Sequence, residues 1–295
     1  MKLFTSLINT IKEHFRLKLI ICFILCAILP LLILGTISYK ISYNIAKDKI
    51  LKETAISCEK NQHLLENRMT QIENLEDSIH FNLCMLCTTA EQPMSNYLDK
   101  LSAVRNNIAS IADSFNIYHV NIFLPDDTFA SKEGLTFCSL SDLKKYKVQL
   151  SDFSKQGLTP NWIFRKDINF PYMVSKGEEP SGVLSCYRYA KINSQKTCLA
   201  VHITSEELSN YLNTFSEGNP SLSYIINSEG VVLSSTDKKQ IGGSLSNEKL
   251  HAITQNLRLS HFSYDKCEII STPVHNQLFL VTETPDYYIR QSSSF

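Results

Sequence analysis

The chain has 295 residues, 43% hydrophobic and 20% charged, with 29 Lys and Arg balancing 29 Asp and Glu to a formal net charge of zero. That length makes one large domain or two modest ones, and the composition excludes a disordered, collagenous or low-complexity chain. The charge balance excludes the basic footprint of a nucleic-acid-binding protein, so no nucleic acid is expected among its partners.

The segment Leu19 to Ile37, LIICFILCAILPLLILGTI, is nineteen residues without a charge. At 1.5 Å rise per residue such a helix crosses a hydrocarbon core of about 30 Å. A secretory signal peptide is the rival reading, with an apolar core of about 7 to 15 residues and an A-x-A-like cleavage site. Neither feature is present, although Gly35, Thr36 and Ser38 are small. Pro30 is tolerable there, because neighbouring groups in a membrane helix satisfy the carbonyl it frees. Lys2, Lys12, Arg16 and Lys18 precede the span against Glu13 alone, whereas Lys40, Lys47, Lys49 and Lys52 follow it mixed with Asp48 and Glu53. The positive-inside rule then predicts a single-pass protein of the cell membrane, its amino terminus cytoplasmic and its chain after about residue 38 outside.

An exported domain can oxidise its cysteines. Cys22 and Cys26 lie in the span, while Cys58, Cys84, Cys87, Cys138, Cys186, Cys198 and Cys267 follow it without a regular framework. Cys84 and Cys87 have the spacing of a redox or metal pair, but neither a second ligand pair nor a βαβ context accompanies them. They read as thiols on a helix.

From Ser38 to about Cys87 there is no Pro or Gly, and Ala55, Cys58, Leu65, Met69, Ile72 and Ile79 recur at near 3-4 spacing, interrupted by Gln62 and Glu76. The pattern predicts a long helix with a narrow seam, suited to a parallel homodimer through residues 41–80. Pro93 ends it, and helical spacing resumes from Asn96 to Phe115. Tyr118, Val120, Ile122 and Leu124 then alternate with His119 and Asn121 as on a strand. A turn at Pro125-Asp126-Asp127 predicts a return strand over 128–131, and a polar helix is expected over 139–156. Strands are predicted at 162–165, 183–190 and 197–203, with a turn near Asn193-Ser194. Thr204 with Glu207 is a capping box that starts a helix reaching to near Phe215. Ser216 to Pro220 reads as a linker. Strands at 222–227 and 231–235 around Ser228-Glu229-Gly230 repeat the theme of residues 117–131, followed by a helix at 248–257 and a hairpin of 262–272 with 277–282. Two lobes are implied, each an antiparallel sheet with helices on its faces.

Catalytic signatures are missing from the sequence. There is no G-x-G, no G-x-x-x-x-G-K, no H-E-x-x-H and no G-x-S-x-G. Ser141 to Lys144 and Ser57 to Lys60 match S-x-x-K, but the companion K-T-G is absent, Lys196-Thr197 being followed by Cys198. The histidines share no metal-like spacing. No catalytic residue, metal or cofactor is expected.

The basic tail, a span containing Ile28-Leu-Pro-Leu-Leu-Ile-Leu-Gly35, the long outgoing helix and the hairpin Tyr224-Ile-Ile-Asn-Ser-Glu-Gly230 together resemble one family. It is the bacterial transmembrane sensor histidine kinases with a double Cache extracellular domain, a domain type that chemotaxis receptors share. The resemblance implies an α+β fold: a transmembrane helix continuing into a long extracellular helix that carries two PAS-like antiparallel-sheet lobes. The expected division is a cytoplasmic tail (1–18), transmembrane helix (19–37), helical stalk (38–116), membrane-distal lobe (117–216), membrane-proximal lobe (217–288) and C-terminal tail (289–295). Family members continue through a second span and a kinase core. Here the sequence reaches Ser292-Ser-Ser-Phe295 where that span is expected, so the chain reads as the sensory half, a non-enzyme. In the family a small ligand sits in the distal lobe, for which Trp162, Arg165, Tyr187 and Tyr189 are the candidate lining: Trp and Arg to stack on and neutralise a carboxylated solute, with both tyrosines on one face of a strand. The same aromatics also suit an ordinary core. The ordered Arg, Trp, Tyr and Asp of amino-acid-binding Cache domains is not cleanly present, so the ligand class stays open. A membrane-anchored extracellular enzyme and an adhesin are the alternatives from other classes.

Overall fold

The computed structural model describes residues 15–87, 94–146, 161–166, 179–192, 195–212, 219–255, 258–275 and 278–293. The chain divides into two compact units, Thr54–Thr284 and Met1–Glu53 with Pro285–Phe295. Helix α1 (Phe15–Cys87) runs through the first stretch of the sequence with Pro30 inside it. Its most apolar 18-residue window has a mean hydropathy of 2.9, and none of that window is buried. Leu19, Phe23, Leu31 and Leu34 present bare apolar surface there, so the helix is long and apolar enough to cross a membrane. The same unit holds a short carboxyl-terminal helix over Asp286–Ser292, where the sequence suggests a tail from 289.

In the larger unit, Cys58, Leu65, Met69, Ile72, Ile79 and Leu83 of α1 are all buried within the chain itself. The homodimer seam expected at Leu65, Met69, Ile72 and Ile79 is therefore occupied by the chain's own sheets, each buried side chain contributing about 1.5–3 kcal/mol. A stripe at 3-4 spacing is what any helix needs against a partner, and the sequence period does not name that partner. Helix α2 (Met94–Ser114) follows.

The first sheet holds β1 (His119–Leu124), β2 (Phe137–Ser139), β3 (Asn161–Arg165), β4 (Val183–Ile192) and β5 (Gln195–Thr204) in the order β2-β1-β5-β4-β3. β1 pairs β2 in parallel, and its other neighbour, β5, is antiparallel. The return strand expected over 128–131 is instead a 3-10 turn, Phe129–Lys132. Glu133 explains where the pairing goes: its carboxylate accepts the N–H groups of Leu135, Thr136 and Phe137, which delays the strand to residue 137 and turns it parallel. The helix expected over 139–156 is a 3-10 segment at Leu140–Tyr146, and the rest of that expectation, like the turn at Asn193-Ser194, lies outside the described residues.

Thr204 does cap a helix, its hydroxyl accepting the Glu207 N–H, though the helix α3 covers only Ser205–Ser209. The second sheet follows with β6 (Leu222–Ile226), β7 (Val232–Ser235), β8 (Ser260–Tyr264), β9 (Cys267–Val274) and β10 (Leu278–Pro285), ordered β7-β6-β10-β9-β8, with α4 (Asn247–Thr254) between β7 and β8. The single strand expected over 262–272 is two, because Asp265 and Lys266 adopt left-handed backbone (φ 45° and 60°) and fold the chain back as a type I′ hairpin turn. The lobes meet through reciprocal bonds: the Ser205 hydroxyl donates to the Leu233 carbonyl, and the Ser234 hydroxyl to the Ser205 carbonyl, each at 2.6 Å.

The β6–β7 turn depends on one glycine. Asn227 Oδ1 accepts the N–H groups of Glu229 and Val231, and Gly230 takes φ 80° to close the turn. A Cβ at that position would also meet Leu250 Cδ2 at 3.1 Å. Gly230→Ala is expected to cost about 1 to 2 kcal/mol, read as a lowered melting temperature with the spectrum of the folded protein retained.

Candidate functional site

Strand register decides which candidates meet. Residues paired across an antiparallel ladder share a face, and neighbours along a strand do not. Asn161 pairs with Tyr187 and Trp162 with Cys186. One face of the first sheet therefore carries Arg165, Tyr187 and Tyr189, while Trp162 lies on the other, with Cys186 and Arg188. Trp162 points at the helix: its indole Nε1–H donates to Glu73 Oε1 at 3.1 Å. The four residues do not gather in one place.

The face with Arg165 and the two tyrosines is the one away from α1. Its core is Phe123, Cys138, Leu143, Val183, Tyr187, Cys198 and Ala200, with Tyr118, Ile163 and Tyr189 packed at the margin. Tyr187 is fully buried, and burial pushes its hydroxyl up to about 12. It is a core aromatic as well as a candidate lining residue. Tyr189 and Arg165 are half-buried.

Sequence reasoning missed a polar tier on the same face. His202 pairs across the ladder with Ser185 and with His119. Ser185 Oγ lies 2.7 Å from His202 Nδ1, and His202 Nε2 lies 3.0 Å from Asn121 Oδ1. The Asn121 amide donates to the Leu135 carbonyl at 2.9 Å, so its oxygen is the acceptor, and the imidazole must be a neutral Nε2–H tautomer receiving the serine proton at Nδ1. Burial, then the nearby His119 and Arg165, hold the His202 imidazole well below its ordinary value. Tyr187 packs edge-on at 6.1 Å and His119 stacks at 6.5 Å. The only sequence signal was alternation, which places His119 and Asn121 on one side of β1 without naming partners 81 residues away.

Ser185, His202 and Asn121 have the composition of a nucleophile triad but not its chemistry. All three side chains are buried, so no substrate reaches the serine. The serine also sits on Nδ1, with the orienting amide on Nε2. What the tier does is tie β4, β5 and β1 together through side chains on one face of the sheet.

Charge separates a cavity beside α2 from the face that carries Arg165. A cavity of about 460 Å³ beside the end of α2 is lined by Asp113, Asn116, Tyr118, Glu206 and Glu207, and repels carboxylates. Arg165, by contrast, is close enough to Tyr187 and His202 to act on both electrostatically, and puts a cation on the face away from α1. On the helix side a buried carboxylate, Glu76, lies 3.4 Å from Arg188 Nε. Burial pushes Glu76 well above the usual carboxylate range, with Arg188 pulling the other way. Cys84 Sγ lies 3.7 Å from His80 Nε2, and the side chain of Cys87 lies outside the described residues.

No protein-family model matches the chain, and no curated protein matches it either. Solved structures do. The extracellular domain of rpHK1S-Z16, named as a histidine kinase, matches with a TM-score of 0.59 at 15% identity over 83% of this chain and 98% of its own. The periplasmic sensory domain of the Campylobacter jejuni chemoreceptor Tlp1 matches with a TM-score of 0.60 at 14% identity, over 82% and 98%. The sensory domain of the Campylobacter jejuni chemoreceptor Tlp3 with isoleucine bound gives 0.53 at 15%, over 85% and 98%. The likeness is one of fold: an α+β, double Cache-like pair of lobes behind an apolar amino-terminal helix.

Proposed function

We propose that the chain is the extracytoplasmic ligand-sensing region of a membrane-bound receptor of the sensor histidine kinase type, anchored by a single span at residues 19–37 with its amino terminus in the cytoplasm. In this reading the first sheet belongs to the membrane-distal lobe (117–216), the second to the membrane-proximal lobe (217–288), and neither is an enzyme. A small carboxylated solute binds the distal lobe on the face away from α1, with Arg165 neutralising the carboxylate and Tyr189 as apolar wall, while the fully buried Tyr187 packs as core on that face. The observation that carries this is the placement of Arg165 on the same face as both tyrosines and the His202 tier. Trp162, on the helix face, leaves the proposed lining. The solved structures of like fold support a sensory role, and the Tlp3 domain was solved with isoleucine bound. Chemoreceptors of the same fold make that output the second reading.

The test is ligand-induced stabilisation of the full chain in detergent. A solute at a hundredfold excess over its dissociation constant contributes about 2.7 kcal/mol, a clear rise in melting temperature. Among small carboxylates, amino acids and sugars, at least one carboxylate is expected to give that rise, Arg165→Gln to remove it, and Trp162→Phe to keep it. An undiminished rise in Arg165→Gln would place the site elsewhere, and no rise with any solute would remove the ligand-sensing reading.

A further inference from the structure

Glu73 stands at an unusual crossing. Its Oε1 accepts the Trp162 indole N–H at 3.1 Å from the edge strand of the first sheet, and the His275 Nε2–H at 2.7 Å from the residue that follows β9 in the second. The two donors are separated from Glu73 by 89 and 202 positions in the sequence. Glu73 and His275 are largely withdrawn from solvent, at 16% and 24% side-chain exposure, so water screens this pair weakly.

We infer that Glu73 is a joint between the lobes: one carboxylate oxygen on the long helix holds a donor from each sheet, so that a displacement of β3 or a proton gained at His275 is felt on the opposite side. The chemistry is competition for one acceptor. A neutral His275 shares the oxygen with the indole as a second neutral donor. A protonated His275 makes a charge-assisted bond, shorter and about twice as strong, and draws the oxygen toward the second lobe. The indole N–H then loses acceptor strength, and β3 is held less firmly against α1. β3 also carries Arg165, three residues along, so the same joint lies between that face and the second sheet.

The charged and titratable groups around Glu73 are few enough to separate. Glu76 and Asp77 share its helix, and Arg188 pairs with both of them from β4. The Cys186 thiol on β4 feels both Glu73 and Glu76. His275 comes from the second lobe. Imidazole is the side-chain type that takes up a proton between about pH 5 and 8, and the Glu76 carboxyl, raised by burial, is a second group here that takes up a proton as pH falls.

The chain has one tryptophan, and it is Trp162. Indole emission of the full chain in detergent therefore reports this hydrogen bond directly, with no ligand needed, which separates this test from that of the sensing role. Titrating from pH 8 to 5 is expected to shift the emission maximum in a single sigmoidal step. His275→Gln and Glu73→Gln should each abolish the step, and both keep a polar side chain of similar size at the joint; His80→Gln and Glu76→Gln should leave it intact. A step that survives in both the His275 and Glu73 variants, one lost in His80→Gln or Glu76→Gln, or a flat wild-type titration would overturn the inference.

Discussion

Replacing Arg68 by Met is expected to cost about 3 to 5 kcal/mol, the penalty for removing one partner of a buried ion pair and stranding the other. Arg68 lies on α1 with 5% exposure. Its guanidinium donates to the Phe115 carbonyl just past α2, and pairs with Glu207 of α3 at 3.2 Å. One side chain thus ties three helices together. Met keeps most of the stem volume, so the loss is of charge and hydrogen bonds rather than of packing. Glu207 keeps the side-chain amides of Asn116 and Asn210 and the Tyr211 hydroxyl as donors to its carboxylate, none of them charged. The double variant Arg68→Met with Glu207→Gln should recover a large part of the loss in urea unfolding at pH 7, since no buried carboxylate then remains uncompensated. If Arg68→Met alone falls within about 1 kcal/mol of the parent, the pair behaves as a surface salt bridge and this account of the junction is wrong.

The second large effect belongs to His202. His202→Leu removes the imidazole acceptor of the Ser185 hydroxyl and the imidazole donor to Asn121 Oδ1, at about 1 to 3 kcal/mol apiece. It also changes how stability responds to acid. The folded imidazole is held well below its ordinary value, whereas the unfolded chain takes up a proton below about pH 6.5. The contribution is therefore fully present above that pH and is lost as pH falls toward the folded value, by up to about 1.4 kcal/mol per unit. Glu76 acts with the opposite sign. Its folded value is raised by burial, so its contribution is present below the unfolded value near pH 4.3 and is lost as pH rises through the folded one. Urea midpoints between pH 4.5 and 8 should show a steeper loss toward acid in Glu76→Gln than in the parent, and a flattened one in His202→Leu. An unchanged acid slope in His202→Leu would assign the titration to other groups.

Legibility in the sequence followed from how local each cause is. The apolar run at 19–37, the capping box at Thr204 and the apolar strand runs of β4 and β5 are written in contiguous residues, and these elements begin within a few residues of where the pattern predicts. The hairpin at Asn227 to Gly230 was legible because Gly230 marks the left-handed position openly. The turn at Asp265-Lys266 was not, because two non-glycine residues occupy that conformation with nothing in the pattern to announce it. β2 was missed because the Glu133 side chain, a few residues ahead of it, takes the N–H groups of residues 135–137 and resets its start, which no apolar pattern records. For the site, composition pointed to Trp162, Arg165 and the tyrosines; alternation along β3 puts Trp162 and Arg165 on opposite faces, and the register of β3 on β4 decides which of the two joins the tyrosines. A one-residue offset exchanges the faces, and nothing in five residues of β3 fixes that offset.

The long helix has a further consequence for how the chain is assembled as it is synthesised. The helix appears first, yet Cys58 is bonded by Thr282 and Gln62 by Thr272, 210 positions later. The first sheet can close on the middle of the helix once β5 has ended at Thr204. The stretch around Cys58 and Leu65 then waits for β9 and β10. At about 5 to 20 residues per second that wait is roughly 4 to 16 s, during which an apolar stripe stands bare. The stripe that looks like a dimer seam in the sequence would act as one only in that interval, as a misassembly hazard between nascent copies, and β10, emerging late, is the strand that removes it.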